Sequence, residues 1–231
     1  MPLQINKKKI YFYLLVLIFL STSFNLSLIS KINDTILLKK INITGISEKE
    51  KKILLNKLKI FENNNIFFLD KKEILNILDF HDFIDSFFIQ KVLPEKLIIN
   101  IKKTNFLGST IVNGDKFYIG SNGKLTPINQ VENEKNLPLV FGKFPIKEFL
   151  SLQKILLMHE IDLKNIKKYY YHKSRRWDLE FSKDLTLMLP SKNIDSSLKI
   201  YKSLVRKKKI GLTRIVDLRV PKNIILTNEK N

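Results

Sequence analysis

Three histidines, His81, His159 and His172, are the side chains whose ordinary pKa suits proton transfer near neutral pH, and they are isolated from one another along the chain. Asp79, Asp82 and Asp85 stand three apart and could bring carboxylates together on one helix face. Solvated acids at a helix end are the plainer reading of that spacing. Asp162 near His159 makes a weaker pair. Cysteine is absent, which excludes disulfides and thiolate metal ligands. The chain has no H-E-x-x-H, no G-x-S-x-G and no glycine-rich phosphate loop, and its 7 glycines leave little for cradling phosphate. The single Trp177 reads as a packing residue rather than a stacking platform. No constellation joins a nucleophile to a base. The expectation is therefore a protein with no catalytic residues, no cofactor and no metal site, one that works by binding.

The elements that position these side chains begin with an apolar stretch. Ile10 to Ser30 holds no charged residue and follows Lys7-Lys8-Lys9. At about 1.5 Å per residue, roughly 20 residues cross the hydrocarbon layer, so residues 10–30 read as a transmembrane helix behind a cytoplasmic tail of residues 1–9. A cleaved signal is the competing reading. Ser21-Thr22-Ser23 is small and polar, but no A-x-A pattern follows and apolar residues resume at Phe24, Leu26, Leu28 and Ile29, which favours an uncleaved anchor. Lysines on both flanks make the charge bias weak. A short tail kept inside, with the body exported, is the simpler topology.

The formal net charge of +19 invites a nucleic-acid partner. Lysine outnumbers arginine 36 to 5 and alanine is absent, with isoleucine and asparagine abundant. An AT-rich coding sequence yields that bias, whereas nucleic-acid surfaces favour arginine's planar fork. The densest run, Arg206-Lys207-Lys208-Lys209, reads as a solvated helix end. No nucleic-acid partner is expected; anionic lipid headgroups are the better match for Lys7 to Lys9.

Beyond the anchor, Leu38 to Thr44 alternates like a strand and ends at Gly45. Ser47 with Glu50 three residues on is a capping-box start for a helix carrying Ile53, Leu54, Leu55 and Leu58. Asp70 caps a second helix with a stripe of Ile74, Leu75, Ile77 and Leu78. Strands follow at Asp85 to Val92 and Leu97 to Lys103, joined by a turn at Leu93-Pro94. In the second half, Asn113-Gly114-Asp115 marks a hairpin between Ser109–Val112 and Lys116–Ile119. Leu137 to Val140 is a short extended piece and Pro145 to Glu160 a helix. Tyr169–Tyr171, Trp177–Phe181 and Thr186–Leu189 read as strands, Asn193 to Lys208 as a helix, and Arg214–Arg219 and Ile224–Thr227 as the last strands.

Taken in order, these motifs resemble the bacterial cell-division family FtsQ, called DivIB in Gram-positive bacteria. Ile41-Asn-Ile-Thr-Gly45 looks like the opening strand of the family's POTRA domain, and Val92-Leu-Pro-Glu-Lys-Leu-Ile-Ile-Asn-Ile101 like its final hairpin. Leu137-Pro-Leu-Val-Phe-Gly142, Arg176-Trp-Asp-Leu179, Leu189-Pro190 and Asp217-Leu-Arg219 follow in the family's order. Where the family has a glutamate and then a proline after the hairpin, this chain has Lys102-Lys103 and Asn105-Phe106.

The resemblance implies an α+β fold: a transmembrane helix, a POTRA-like β-α-α-β-β domain over residues 36–104, a mixed, mainly-β domain with two helices over 105–228, and a tail of 229–231. It implies a non-enzymatic scaffold in the inner membrane at the division septum. The body would lie in the periplasm, binding FtsB and FtsL for septal peptidoglycan synthesis, with FtsK and FtsW as further division partners. The runners-up are a POTRA-type adaptor for outer-membrane protein assembly and a membrane-anchored cell-wall enzyme. By position, Ile224, Ile225, Leu226 and Thr227 would form the family's free edge strand, to which FtsB adds a strand. An ordinary internal strand is the alternative. Arg219 matches the family arginine that meets an acidic partner side chain; a structural ion pair with Asp217 is its other reading. Val220 and Asn228 stand where some members carry aromatic contacts, so the resemblance implies an interface with fewer aromatic anchors.

Overall fold

The computed structural model describes residues 7–23, 36–206, 213–220 and 223–228. Helix α1 (Lys7–Ser23) takes in the three lysines assigned above to the tail, and its apolar side chains from Ile10 to Leu20 are exposed except Val16, which is half-buried. Residues 24–30 of the expected membrane span lie outside the described residues, as do Lys207 and Lys208, Pro221 and the tail 229–231. Among the described residues no helix is long and apolar enough to cross a membrane.

Two sheets carry the rest, and the architecture is mixed α+β. The smaller is built from β1 (Lys40–Thr44), β2 (Ile84–Val92) and β3 (Lys96–Lys103) in the order β1-β3-β2, with β1 and β3 parallel. Helices α2 (Glu48–Leu58) and α3 (Lys71–Asp79) cover one face. Each begins where a cap satisfies free backbone donors. The Ser47 N–H donates to Glu50 Oε2 at 2.9 Å, and the Lys72 N–H to Asp70 Oδ1 at 2.7 Å. Leu54, Leu58, Ile74 and Leu78 meet Ile43, Leu97, Ile99 and Ile101 in the core beneath them.

The larger sheet has nine strands: β4 (Phe106–Val112), β5 (Asp115–Gly120), β6 (Leu125–Pro127), β7 (Leu139–Phe141), β8 (Ile166–Tyr171), β9 (Trp177–Phe181), β10 (Thr186–Met188), β11 (Ile215–Asp217) and β12 (Ile225–Thr227). Their spatial order is β12-β11-β10-β9-β8-β7-β4-β5-β6. Asn113 and Gly114 adopt positive φ, 52° and 91°, the geometry of a tight two-residue hairpin turn. Helices α4 (Ile146–Met158) and α5 (Ile194–Arg206) supply Phe149, Leu152, Leu156, Leu198 and Tyr201 to the core on one sheet face.

The two sheets share packing where they meet. Tyr118 and Val131, from beyond residue 104, join the apolar cluster of the smaller sheet. The Asn122 side-chain amide donates to the Asp82 carbonyl at 2.9 Å. Glu50, 0% exposed, lies with its Oε1 2.7 Å from Lys103 Nζ, which also stands 3.1 Å from Glu134 Oε1. Burial pushes the Glu50 carboxyl up, but the Lys103 ammonium and the Ser47 N–H outweigh it and hold it below the usual range. Lys103 thus fastens α2 to a loop of the larger sheet from a position where the resemblance led one to expect a different residue pair.

Candidate partner-binding edge

The acidic and histidine side chains first singled out do not converge. Asp82 lies 3.8 Å from Lys124, and Asp85 2.9 Å from Lys102. Asp162 caps a 3-10 turn through the Lys164 N–H, while His159 turns instead to Asp195 at 2.8 Å. His172 lies 2.7 Å from Asp178. Trp177 is buried among Phe144, Phe149, Tyr169 and Tyr171. Among the described residues no group of three or more acids and histidines is placed to hold a metal ion.

The terminal strand has a more definite geometry. Among the described residues β12 is the outermost strand of the nine, paired on one side only, antiparallel to β11, with Ile215 opposite Thr227, Val216 opposite Leu226 and Asp217 opposite Ile225. Strand alternation settles which peptide groups face outward. The Leu218 N–H donates to Met188 O on the β10 side at 2.9 Å, so Asp217 and Ile215 turn their peptide groups toward β12. Their partners Ile225 and Thr227 therefore face β11, and the Arg214 N–H donating to Thr227 O at 2.9 Å agrees. Leu226 is left with its N–H and C=O on the open side. A proline at Ile225 would break the protein's own ladder; a proline at Leu226 would remove the outward donor.

The side chain of Leu226 has an equally specific place. It continues a cross-sheet row of Val216, Leu187, Leu179, Tyr169 and Val140, all buried beneath α4 and α5. The row ends at Leu226, 41% exposed, with its outer flank uncovered among the described residues. Ile225, 51% exposed, lies on the opposite face beside Asp217. Ile224 is half-buried against the larger core, Thr227 is half-buried, and Val220 is exposed.

Arg219 adopts the second of its two readings. Its Nε donates to Asp217 Oδ1 at 2.8 Å and its Nη2 to Oδ2 at 2.5 Å, a two-pronged pair, and its own N–H donates to Oδ1 at 2.9 Å. These bonds hold the Asp217 carboxyl below its usual range against the opposing effect of burial, and they push the guanidinium up. A partner carboxylate reaching Arg219 has to share it with Asp217. The i, i+2 spacing on a strand put both side chains on one face and was the readable signal for this pair. The outward turn of Leu226 rather than Ile225 had no signal, because it depends on which residues of β11 bond to β10.

Comparison with known proteins gives this half of the chain a class. Residues 110–219 match the family described as "Cell division protein FtsQ/DivIB, C-terminal", a stretch that holds most of the nine-stranded sheet and both of its helices. A curated relative, the cell division protein DivIB of Clostridium botulinum (strain Loch Maree / Type A3), is 32% identical over 100 residues. That match covers 43% of this chain and 38% of the relative's length. Among solved structures, the major extracytoplasmic domain of the trans isomer of the cell division protein DivIB from Geobacillus stearothermophilus aligns with a TM-score of 0.34 at 10% identity. The alignment covers 46% of this chain and 97% of that one, a likeness too remote to carry weight. The family match makes residues 110–219 similar to FtsQ/DivIB cell division proteins, and the curated relative bears the same name.

Proposed function

We propose that this chain is a non-enzymatic scaffold of the division machinery that captures a partner by adding the partner's strand to β12. The carrying observation is the open peptide group of Leu226 at the end of a buried apolar row. An unpaired N–H and C=O give an incoming strand a ladder to join, and an alternate apolar side chain on that strand would extend the Val216–Leu226 row over the edge of the core. The partner that fits the family is FtsB, with FtsL beside it, and FtsK and FtsW as further division partners. Arg219, Val220, Ile224, Ile225, Leu226 and Thr227 form the contact. With Arg219 already held by Asp217, and with no aromatic residue at Val220 or Asn228, affinity comes chiefly from backbone bonds and the apolar row.

On this reading residues 10–30 anchor the chain in the inner membrane, residues 36–104 act as a POTRA-type module and the body lies in the periplasm at the septum. The uncharged stretch of residues 10–30 after three lysines, wholly apolar or aromatic from Ile10 to Leu20, supports the anchor. The test is capture of the FtsB periplasmic segment by the full chain. Leu226→Pro is expected to abolish capture while the circular dichroism spectrum stays that of the parent. Undiminished capture by the folded variant would remove the strand-addition claim.

A further inference from the structure

A second cluster of exposed apolar side chains lies at one pole of the smaller sheet. The chain arriving from α1 first pairs with the loop between α2 and α3: the Ile66 N–H donates to Ile36 O at 3.0 Å, the Leu38 N–H to Asn64 O at 2.9 Å and the Asn63 N–H to Leu38 O at 2.9 Å. The turn between β2 and β3 sits at the same end, because the Lys39 and Lys40 N–H groups both donate to Glu95 O, at 2.9 and 3.1 Å. From this pole project Ile60, Phe67, Phe68 and Leu93, all exposed. Phe68, at 79%, is the most exposed of the large apolar side chains described.

The loop is held in place. The Phe67 N–H donates to Asn65 Oδ1 at 2.9 Å and the Phe68 N–H to Asn65 O at 3.1 Å, a turn that aims both rings outward. Lys91 Nζ, reaching from β2, donates to Phe67 O at 3.2 Å. Lys39, Lys59, Lys71, Lys72, Lys91 and Lys96 lie beside these tips in the sequence or at the same turns, against Glu62, Asp70, Glu73 and Glu95, the last 3.1 Å from Lys39. Lysines outnumber the acids six to four.

We infer that this pole docks onto the anionic surface of the bilayer that holds the N-terminal helix, with Phe67, Phe68, Ile60 and Leu93 sunk into the headgroup layer. The inference rests on the anchor reading above. If the span ends at residue 30, only residues 31–35 separate it from Ile36, and five residues reach at most about 18 Å whatever their conformation. The pole is therefore tethered beside the lipid surface. Apolar burial and attraction of basic groups to anionic headgroups act together there. The contact would fix the tilt of the smaller sheet, and so the direction in which β12 is presented, by a second point of attachment besides the helix.

The test uses the full chain, which has no cysteine, so one introduced thiol carries one probe. Leu93→Cys and, as the reference, Ser203→Cys are labelled with an environment-sensitive NBD fluorophore. Each is reconstituted into vesicles of phosphatidylethanolamine and phosphatidylglycerol. The expected result is emission at shorter wavelength and weaker iodide quenching at position 93 than at 203, with both differences lost on adding Phe67→Ser and Phe68→Ser. A chain that floats with the vesicles but shows a position-93 label as quenchable as that at 203 overturns the docking and leaves the anchor standing. That same outcome is expected if another protein, rather than lipid, covers the pole. A chain that fails to float overturns both.

Discussion

Replacing Lys103 with methionine isolates what holds the two sheets together. Methionine keeps most of the apolar stem and removes the ammonium. Glu50 is then left fully buried with the Ser47 N–H at 2.9 Å as its remaining donor in the capping box. Breaking a buried pair by removing one partner costs about 3–5 kcal/mol. Glu134, more exposed, loses little. For a chain of this size the cost corresponds to a fall in melting temperature of roughly 6–20 °C. The pH dependence provides the sharper signature. In the parent, Glu50 titrates below the ordinary carboxylate range, so its contribution is complete above that range and is lost as pH falls through the lower folded value. Without Lys103, burial pushes the carboxyl up; the folded variant then binds the proton first, and its deficit shrinks as pH falls into the ordinary carboxylate range. Urea unfolding of the full chain in detergent micelles, followed by circular dichroism at pH 7 and pH 5, reads both effects. The double variant Glu50→Gln, Lys103→Met should recover most of the loss at pH 7. A single-variant loss under about 1 kcal/mol, within the range of an exposed pair, would refute the reasoning.

Two further outcomes follow from single residues. His81 is 3% exposed, neither ring nitrogen has a partner among the described residues, and burial and Lys57 pull its pKa below 6.5. The unfolded chain therefore takes up the proton first, and stability declines from pH 6.5 down to the folded value, by at most about 1.4 kcal/mol per pH unit; His81→Phe should flatten that decline in pH-dependent melts. Gly142 has φ of +98°, and an added Cβ would stand 2.2 Å from the Tyr171 carbonyl oxygen, so Gly142→Ala should cost about 1–3 kcal/mol in thermal unfolding.

Much of the fold was readable because local chemistry and tertiary structure agree. Ser47 with Glu50, Asp70 before its apolar stripe and the Asn113-Gly114 turn each satisfy or bend the backbone within a few residues, so their effect is visible in the sequence. Boundaries moved where packing took over. β4 starts at Phe106 rather than Ser109, because Phe106 packs on Tyr118 at 5.1 Å. β6 went unseen: three residues ending in proline give no alternation to detect. Nothing local announced that the second half forms one nine-stranded sheet, since its parallel pairs, β4 with β7, β7 with β8 and β10 with β11, join residues remote in sequence. The same limit applies at the candidate edge. The pairing of Arg219 with Asp217 follows from spacing, but the roles of Ile225 and Leu226 depend on a hydrogen bond from Leu218 to Met188.

The most direct test is amide hydrogen exchange at three consecutive residues, measured on the full chain with and without the FtsB periplasmic segment. In the free chain Ile225 and Thr227 should be protected by β11, while the Leu226 amide exchanges freely. With the segment bound, Leu226 should become protected and its two neighbours change little. A Leu226 amide that exchanges equally fast in the complex, or that is already protected in the free chain, would contradict the account.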